Sequence, residues 1–514
     1  MKIIKETKSM CPVCGRLLPA TVTEEDGAVW IRRTCPEHGE LRSLYWSDAE
    51  MYHRYEQYDR EGRGVYNPNT NTPGECTQRC GLCAHHKSGT LLANIDLTNR
   101  CNLNCDFCFA NARACGYIYE PTFDEIVSML ELLRNEEPVP CPAVQFAGGE
   151  PTMRDDLTDI IKKAKELGFS QVQMASNGVK LARNPELARE WRAAGLSTVY
   201  LHFDGTTKDT NPLLEKTSLP AIESCRKAGL GIVLVPTVIN GKNDHQVGDI
   251  IKFAAKNIDV IRGINFQPVA FTGAAKNDDV ERERVTVPDL VKRMEEQTDG
   301  ALKQSDFYPV PSMMAVCDLI ESYTGEAQIM FCAHPHCGAA TYGFVNEKGD
   351  LVPVNRFIDV DKFLTEVAKM AEKFRNAGKT GKYLAMVTGL NNMRKIVEKG
   401  EVEGIKIDMN KMIYDALIKH DYNSIGQFHK NALFIGTMHF MDCFNYDTDR
   451  VERCCIHYTT PDGRLIPFCT YNSGPVYREQ VWKKYAKPMP AKKNASAGGS
   501  CAGCGDCGSV ENTE

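Results

Sequence analysis

Three cysteines lie close together in the stretch RCNLNCDFCF, at Cys101, Cys105 and Cys108. Three thiols are an odd number for disulfides and one short of the ligands of a closed tetrahedral metal site. A [4Fe–4S] cluster has four irons that each take one protein ligand, so a three-cysteine loop leaves one iron open. An open coordination position is typical of a catalytic metal centre. The spacing therefore predicts a catalytic cluster with these three residues as its metal ligands.

Further candidate ligand-binding residues follow at or near the ends of predicted strands. QFAGGEPTMR places two glycines beside a carboxylate, and glycine lets the backbone approach a bound molecule closely. MASNG and HFDG end two other strands with side chains that donate or accept hydrogen bonds. The candidates are Phe107, Gly148, Gly149, Glu150, Pro151, Ser176, Asn177, His202, Asp204, Asn265 and Gln267.

The cysteine triplet and the GGEP loop resemble the radical S-adenosylmethionine (SAM) superfamily, in which a C-x3-C-x2-C loop follows the first barrel strand. The resemblance implies that the open iron chelates the amino and carboxylate groups of SAM. Electron transfer from the cluster would release a 5′-deoxyadenosyl radical, which abstracts hydrogen from an unactivated carbon. Phe107 and the sixth-strand amides would contact adenine, the GGEP loop would accept from the ammonium group, and Ser176 and Asn177 would contact ribose or carboxylate.

The chain has 22 cysteines, and clustered cysteines in a reducing compartment favour metal binding over disulfides. CTQRCGLC repeats the triplet spacing, but no strand precedes it and a leucine occupies the aromatic position, so we predict an auxiliary site. Its cysteines and those of the C-terminal half are Cys76, Cys80, Cys83, Cys332, Cys337, Cys443, Cys454, Cys455 and Cys469. They suffice for two fully coordinated auxiliary [4Fe–4S] clusters, and the sequence leaves the pairing open.

The N-terminal CPVCG and CPEHG segments are typical of a ribbon that holds one metal ion. Cys11, Cys14, Cys35 and His38 would form a tetrahedral mononuclear site. The alternative is a rubredoxin-like iron site that takes its fourth cysteine from the Cys76 group. The sequence does not separate zinc from iron here.

A scaffold must position these motifs, and from about residue 91 strands alternate with amphipathic helices six times. The predicted strands are 91–98, 143–148, 170–177, 198–204, 231–239 and 264–271. This alternation predicts a parallel sheet with right-handed crossovers. Six units are fewer than the eight of a closed barrel, so we expect an α/β partial (β/α)6 TIM-type barrel with its chemistry at the carboxyl ends of the strands.

The segments outside this alternation divide the chain into four predicted parts. We predict an N-terminal metal-binding segment at 1–90, the radical SAM partial barrel at 91–310 and a cysteine-rich auxiliary-cluster domain at 311–480. Residues 481–514 are rich in glycine, alanine and serine and are predicted to be disordered. Four isolated cysteines, Cys115, Cys141, Cys225 and Cys317, are interpreted as small buried apolar residues.

Charge and hydropathy narrow the class of partner. The chain has 514 residues with a formal net charge of -6, which argues against nucleic acid, where a basic face is expected. No stretch approaches the ~20 apolar residues that span a bilayer, and the N-terminus lacks the apolar core of a secretory signal. We therefore expect a cytoplasmic protein, with peripheral contact at the inner membrane face left open.

Over residues 1 to about 480 the sequence resembles the archaeal tetraether lipid synthase group, through CPVCG…CPEHG, GECTQRCGLCAHH and LTNRCNLNCDFCFANA. The resemblance implies the joining of terminal carbons of phytanyl chains in archaeal diether lipids, with SAM as cosubstrate and ferredoxin or flavodoxin as electron donor. Three alternatives stay open. They are a radical SAM methylase or C–C bond former acting on a pterin-type cofactor, a peptide-modifying radical SAM enzyme, and a non-catalytic iron–sulfur electron carrier.

Overall fold

The computed structural model describes residues 1–70, 76, 80–110, 112, 116–275, 279–398, 400–406, 408, 411, 432–473 and 475–488. Cys115 and the tail cysteines lie outside these residues. Of the other cysteines that were predicted to be isolated, Cys141 and Cys225 are fully buried and Cys317 is 7% exposed, as expected for small apolar residues.

An antiparallel ribbon opens the chain, with β1 (Lys2–Met10), β2 (Leu17–Glu25), β3 (Ala28–Cys35) and β4 (Gly39–Trp46) paired in sequence order. Helix α1 (Ala49–Glu56) follows, and its N-terminus is capped because the Asp48 side chain accepts from the Met51 backbone N–H. Trp46 and Tyr52 are fully buried, and both rings pack against the His336 ring, whose centroid lies 4.9 Å and 3.7 Å away, respectively. The ribbon is therefore packed against the body of the molecule.

The predicted strand–helix alternation is present in the central part of the chain. Its elements are β5 (Leu92–Thr98), β6 (Ile118–Tyr119), α2 (Phe123–Arg134), β7 (Ala143–Gly148), α3 (Leu157–Glu166), β8 (Gln171–Ser176), α4 (Val179–Arg183), α5 (Glu186–Ala194), β9 (Thr198–His202), α6 (Leu219–Ala228), β10 (Gly231–Val235), β11 (Thr237–Val238), α7 (Val247–Lys256) and β12 (Ile261–Pro268). The sixth strand begins three residues before its predicted start, because Ile261 and Gly263 already pair with β10.

The rest of the chain adds short strands and further helices. They are α8 (Val280–Glu283), α9 (Val287–Gln297), β13 (Tyr308–Pro309), α10 (Met314–Thr324), β14 (Gly338–Val345), β15 (Leu351–Pro353), α11 (Val360–Asn376), α12 (Lys379–Met393), β16 (Glu401–Val402), β17 (Ile405–Lys406), β18 (Ala432–Met438), α13 (Thr448–Glu452), β19 (Ile456–Thr459), β20 (Leu465–Pro467), α14 (Phe468–Ser473), α15 (Pro475–Lys484) and β21 (Ala486–Lys487).

The six central strands lie side by side in the order β12-β10-β9-β8-β7-β5, and all these neighbours are parallel. The expected partial barrel is thereby confirmed. One face of each strand packs on the helices: Val144 and Phe146 of β7 join Ile126 of α2 and Ile160 of α3 in the main apolar core. Alternation of side chains along a strand leaves the opposite face to line the barrel interior.

The C-terminal half extends this sheet at both edges. Strand β18 pairs parallel with β12 and antiparallel with β14, while β19 pairs parallel with β5 and antiparallel with β20. Part of the segment 311–480, which the sequence suggests as a separate auxiliary domain, thus shares one sheet with the barrel. The short strands of this segment do not alternate with helices in sequence, so no sequence pattern indicated that they extend the barrel sheet.

The chain remains ordered beyond the predicted start of a disordered tail at residue 481. Helix α15 runs to Lys484 and β21 pairs with β6, so residues 481–487 belong to the fold. The side chain of Trp482 is buried and stacks on Tyr119 at 5.6 Å between ring centroids. The rest of the predicted disordered tail, from residue 489 onward, lies outside the described residues.

A buried ion pair holds α15 against the first barrel strand. Asp96 of β5 accepts from the Arg478 guanidinium at 3.0 Å, from the Tyr471 hydroxyl at 3.1 Å and from the Trp482 indole N–H at 3.2 Å. Asp96 is 2% exposed and Arg478 is 8% exposed. Removing one member of such a pair leaves the other charge buried without compensation.

We therefore expect Arg478→Met to lower the free energy of unfolding by about 3–5 kcal/mol. The matched control is Arg464→Met, which breaks a more exposed pair with Asp462 and is expected to cost about 1 kcal/mol or less. Chemical denaturation followed by circular dichroism measures both. Equal losses in the two variants would contradict a special role for the buried pair.

Candidate active site

The cysteine loop and the GGEP loop are joined through their backbones. The Gly149 N–H donates to the Thr98 carbonyl at 2.7 Å, and the Glu150 N–H donates to the Arg100 carbonyl at 2.8 Å. A Cβ on Gly148 would lie 2.3 Å from the Thr98 oxygen, and one on Gly149 would lie 2.4 Å from the Arg100 oxygen. Gly148 also has a φ of +125°, a left-handed conformation that favours glycine. Both glycines are thus required by this close approach.

The loop after β12 holds the other end of the cysteine triplet. The Ala274 N–H donates to the Cys108 carbonyl at 2.9 Å, and a Cβ on Gly273 would lie 2.3 Å from the same oxygen. Gly273 has a φ of +66°. Gly273 was not among the predicted residues, although its place just after the sixth predicted strand was a usable signal. The triplet is therefore clamped between the second and sixth barrel strands.

The three thiols suit a metal cluster. Burial raises the pKa of Cys101, and burial followed by the neighbouring Cys108 and Cys101 raises the pKa of Cys105 to about 12. Without metal these two thiols would be protonated at neutral pH, whereas a bound metal takes thiolates and displaces the protons. Three soft sulfur donors in one loop match the ligand preference of iron–sulfur clusters.

The Glu150 carboxylate is hydrogen-bonded on both oxygens by groups of the protein. It accepts from the Thr152 hydroxyl at 2.7 Å, from the Ser176 hydroxyl at 2.9 Å and from the Asn177 N–H at 2.9 Å, and it is 1% exposed. Burial raises its pKa, and these hydrogen bonds oppose the shift. Glu150 therefore positions the turn after β8, and its predicted contact with the ammonium group of SAM stays a prediction. Pro151 begins the short 3-10 helix that follows.

Asn177 ties the third strand end to the cysteine loop. Its Nδ2 donates to the Asn102 side-chain oxygen at 2.7 Å, while its Oδ1 accepts from the Val179 N–H. Asn102 lies between Cys101 and Cys105 and was not predicted, because an asparagine in a loop carries no ligand-spacing signal. The predicted roles of Ser176 and Asn177 toward ribose or carboxylate remain untested, although the structure places both beside the loop.

The remaining predicted residues surround the barrel mouth. His202 Nε2 lies 2.8 Å from Asp204 Oδ2, and the charge of Asp204 raises the pKa of His202. The Lys242 ammonium lies 4.4 Å from the centroid of the Phe107 ring, which packs in an apolar cluster beside the sixth strand. Asn265 and Gln267 are partly exposed residues of β12. Lys242 was not predicted, because a single lysine in a loop carries no sequence signal.

The four predicted ribbon ligands come together. The ligand atoms of Cys11, Cys14, Cys35 and His38 all lie within 4.8 Å of one another. Cys35 Sγ is 3.4 Å from His38 Nδ1, a contact that lowers the pKa of Cys35 to about 6. A thiolate and an imidazole in this arrangement suit a tetrahedral ion.

Most of the cysteines that were predicted to be auxiliary ligands lie close enough for their thiols to influence one another's pKa. Burial, together with the Cys337 thiol, raises the pKa of Cys454 to about 12, and the Cys455 pKa is raised by burial and by Cys454, Cys332 and Cys337. The pKa of Cys469 is raised by burial and by the Cys454 thiol. The second triplet adjoins this group: burial, then Cys76, Cys83 and Cys454, raise the pKa of Cys80. Cys443 lies beside the ribbon instead, where its carbonyl accepts from Arg33 at 3.5 Å.

A second group of potential metal ligands is occupied by a lysine. His334, Asp447 and Asp449 offer ligand atoms within 4.8 Å of one another. The Lys5 ammonium of β1 lies 3.2 Å from His334 Nε2, 3.0 Å from Asp447 and 2.7 Å from Asp449. The ammonium occupies the position that a metal cation would take. Its contacts with His334, Asp447 and Asp449 therefore join the N-terminal ribbon to the C-terminal half of the chain.

Comparison with known proteins agrees with this geometry. The Radical SAM superfamily matches residues 95–254, and the HMPTM N-terminal zinc ribbon domain matches residues 3–47. The barrel, the clamped thiol triplet and the four-ligand ribbon therefore define a class: radical SAM proteins that carry an N-terminal zinc ribbon.

One relative resembles nearly the whole chain. The 7,8-dihydro-6-hydroxymethylpterin dimethyltransferase of Methanocaldococcus jannaschii is 46% identical over 499 residues, which cover 94% of this chain and 96% of that protein. This chain belongs to the radical SAM family that includes that dimethyltransferase. The expected tetraether lipid synthesis and diether lipid substrate are wrong, because the motifs that suggested them occur in a chain whose full-length relative is named for a pterin.

More distant matches cover less of the chain. The GTP 3',8-cyclase of Clostridium acetobutylicum is 25% identical over 295 residues, which cover 55% of this chain and 87% of that protein. A solved radical SAM methyltransferase from Sphaerobacter thermophilus is 13% identical, with a TM-score of 0.28 over 58% of this chain and 73% of that one. That score is too low to carry an argument. Within the described residues, no helix has the length and apolar content to cross a membrane.

We expect Cys105→Ala to abolish reductive cleavage of SAM, since two thiols cannot retain the cluster. The matched control is Cys225→Ala, which removes a buried thiol in α6 outside the site and is expected to leave cleavage within about twofold. Anaerobic reduction followed by quantification of 5′-deoxyadenosine measures both. Unaltered product formation by Cys105→Ala would rule out the assigned site.

Proposed function

We propose that this chain is a radical SAM methyltransferase that acts on a reduced hydroxymethylpterin. The observation that carries the proposal is the 46% identity to the dimethyltransferase across 94% of the chain. The clamped triplet supports it, because it leaves one position of a [4Fe–4S] cluster without a protein thiolate. When bound, such a cluster supplies the electron that cleaves SAM to a carbon radical.

The chain's own residues would orient the reactants at the barrel mouth. Backbone contacts at Gly148, Gly149 and Gly273 fix the loop of Cys101, Cys105 and Cys108, and Asn177 fixes the turn beside it. The His202–Asp204 pair lies at the fourth strand end, where the charge of Asp204 raises the pKa of His202 and so favours its protonated form. These groups supply positioning and proton handling around the reacting atoms.

The extra metal sites are assigned as follows in this proposal. Cys11, Cys14, Cys35 and His38 hold Zn²⁺, because a mixed nitrogen and sulfur donor set is typical of structural zinc. The neighbouring thiols of Cys76, Cys80, Cys83, Cys332, Cys337, Cys454, Cys455 and Cys469 hold auxiliary [4Fe–4S] clusters. Cys443 is left out, because, after burial, the charged groups that shift the pKa of its thiol most are Asp442, Arg284 and Arg33, with no cysteine among them.

A buried guanidinium supports an anionic cluster beside Cys337. Arg450 is 1% exposed, its Nε donates to Cys337 Sγ at 3.4 Å, and its Nη2 donates to the His439 carbonyl at 2.5 Å. Its Nη1 has no partner, and the described residues give the guanidinium no carboxylate. An isolated buried charge is costly, so thiolates and a cluster of net negative charge are its natural counter-ion.

The function is tested by incubating the protein anaerobically with SAM, a reductant and 6-hydroxymethyl-7,8-dihydropterin. We expect mass spectrometry to detect one or two added methyl groups on the pterin, and none when Cys105→Ala replaces the wild-type chain. An archaeal diether lipid serves as the negative control substrate. Cleavage of SAM without any methylated pterin would contradict the proposal.

A separate experiment tests the auxiliary assignment. Changing Cys101, Cys105 and Cys108 to alanine leaves only the auxiliary clusters. In this background Arg450→Met should lower the midpoint potential of the cluster beside Cys337, because its more negative reduced state loses a positive neighbour. A tenfold change in the reduction equilibrium is ~59 mV for one electron, and we expect at least this shift. Arg189→Met, on the surface of α5, is the control. An unchanged potential in an EPR-monitored redox titration would contradict the assignment.

A further inference from the structure

We propose that a ladder of amide side chains at the base of the barrel interior binds the pyrimidine ring of the pterin, and we call Asn94, Gln145 and Gln173 the amide floor. This inference rests on the proposed function and adds the residues that recognise the substrate. The recognised chemistry is a neutral, planar heterocycle with a lactam and an exocyclic amino group.

The amide floor crosses three adjacent strands in register. Gln145 Nε2 donates to Asn94 Oδ1 at 2.8 Å, and Gln173 Nε2 donates to Gln145 Oε1 at 2.9 Å. Asn94 pairs with Gln145 between β5 and β7, and Gln145 pairs with Gln173 between β7 and β8. Each amide is thus oriented by the next one, which gives the floor a fixed pattern of donors and acceptors.

The floor faces the inside of the barrel. Its sequence neighbours Val144, Phe146, Val172 and Met174 are fully buried in the core that packs on the helices. Successive residues of a strand point to opposite faces, so the glutamines lie on the concave side. Apolar residues fill the outer face, and polar side chains are concentrated on the inner one.

Small side chains lie between the floor and the cysteine loop. The next inward residues toward the barrel mouth are Ala147 of β7 and Ala175 of β8, and Ala175 pairs with Tyr200 of β9. Ala175 and Gln145 are partly exposed although they lie inside the barrel. In the proposal, a planar ring rests on the floor at these positions, below the strand ends that carry the candidate SAM-binding residues.

Two buried polar atoms on the inner face of β5 lack partners. Asn94 Nδ2 and Asp96 Oδ1 have no hydrogen bond, while their residues are 1% and 2% exposed. Inward positions two residues apart lie about 6.6 Å from each other along a strand. A lactam carbonyl can accept from Asn94, and the amino group on the other side of the ring N–H can donate to Asp96. The ring thereby satisfies both atoms, which otherwise stay unpaired at a cost.

The polarity of the floor favours a heterocycle over an alkyl chain. Asn94, Gln145 and Gln173 carry no charge, and the nearby Arg478 is already paired with Asp96. An alkyl chain would leave the amides without hydrogen-bond partners. The floor therefore favours a polar, uncharged ring over a lipid tail.

The test measures pterin affinity separately from SAM cleavage. Asn94→Leu removes the unpaired donor, and Gln145→Met interrupts the ladder with a side chain of similar length. The control Asn392→Leu removes an amide of α12, outside the barrel, whose side chain donates to Glu366. The probe is 6-hydroxymethyl-7,8-dihydropterin, whose own fluorescence reports binding to the anaerobic holoenzyme in the presence of SAM. Substrate-free formation of 5′-deoxyadenosine is measured on the same samples.

We expect Asn94→Leu and Gln145→Met each to weaken pterin binding by at least ~10-fold, since a polar site rejects a ligand that leaves its groups unpaired. The control should bind the pterin within about twofold of wild type and should cleave SAM at the wild-type rate. If wild type binds and methylates the pterin while both floor variants bind it equally well, the floor assignment is overturned and the proposed function stands. If wild type neither binds nor methylates the pterin, both are overturned.

Discussion

The contact on which the site depends is the close backbone approach around the cysteine loop. Gly148 and Gly149 bring the second strand end against the residues before Cys101, and Gly273 brings the sixth strand end against Cys108. Because the loop is held by β7 near one edge of the six-strand sheet and by β12 at the other edge, the position of the triplet depends on the curvature of the whole barrel. Side chains at any of these glycines would separate backbones that now lie in contact.

Sequence patterns predicted the parts of the fold that repeat locally. Strand–helix alternation revealed the six parallel strands, and ligand spacing identified the four ribbon residues that the structure brings together. The strands β14, β18 and β19 were not predicted to join this sheet, because their pairing brings together residues that are far apart in sequence. The amide floor was not predicted either. Gln145 and Gln173 each alternate with apolar residues of their own strand, which is the pattern of any half-exposed strand. The cysteine motifs do not specify the substrate, and the lipid expected from them was wrong.

The structure joins the barrel and the cysteine-rich half into one body. Strands of the C-terminal half extend both sheet edges, and Arg478 reaches the same strand, β5, whose carboxyl end leads into the loop of Cys101, Cys105 and Cys108. The Cys80 N–H donates to the Tyr477 hydroxyl, so the second triplet is anchored to α15 as well. The amide floor, the cysteine loop and the second triplet are therefore connected through β5 and α15.

The lysine that occupies the His334, Asp447 and Asp449 group limits how the molecule can be dissected. Lys5 belongs to the first strand, yet it neutralises carboxylates of the C-terminal half, one of them, Asp447, fully buried. A shortened chain without its first strand would leave these two carboxylates without the lysine ammonium that now lies between them. The first strand thus supplies the positive charge for this group, and a chain expressed without it is expected to bind divalent cations from the buffer at His334, Asp447 and Asp449.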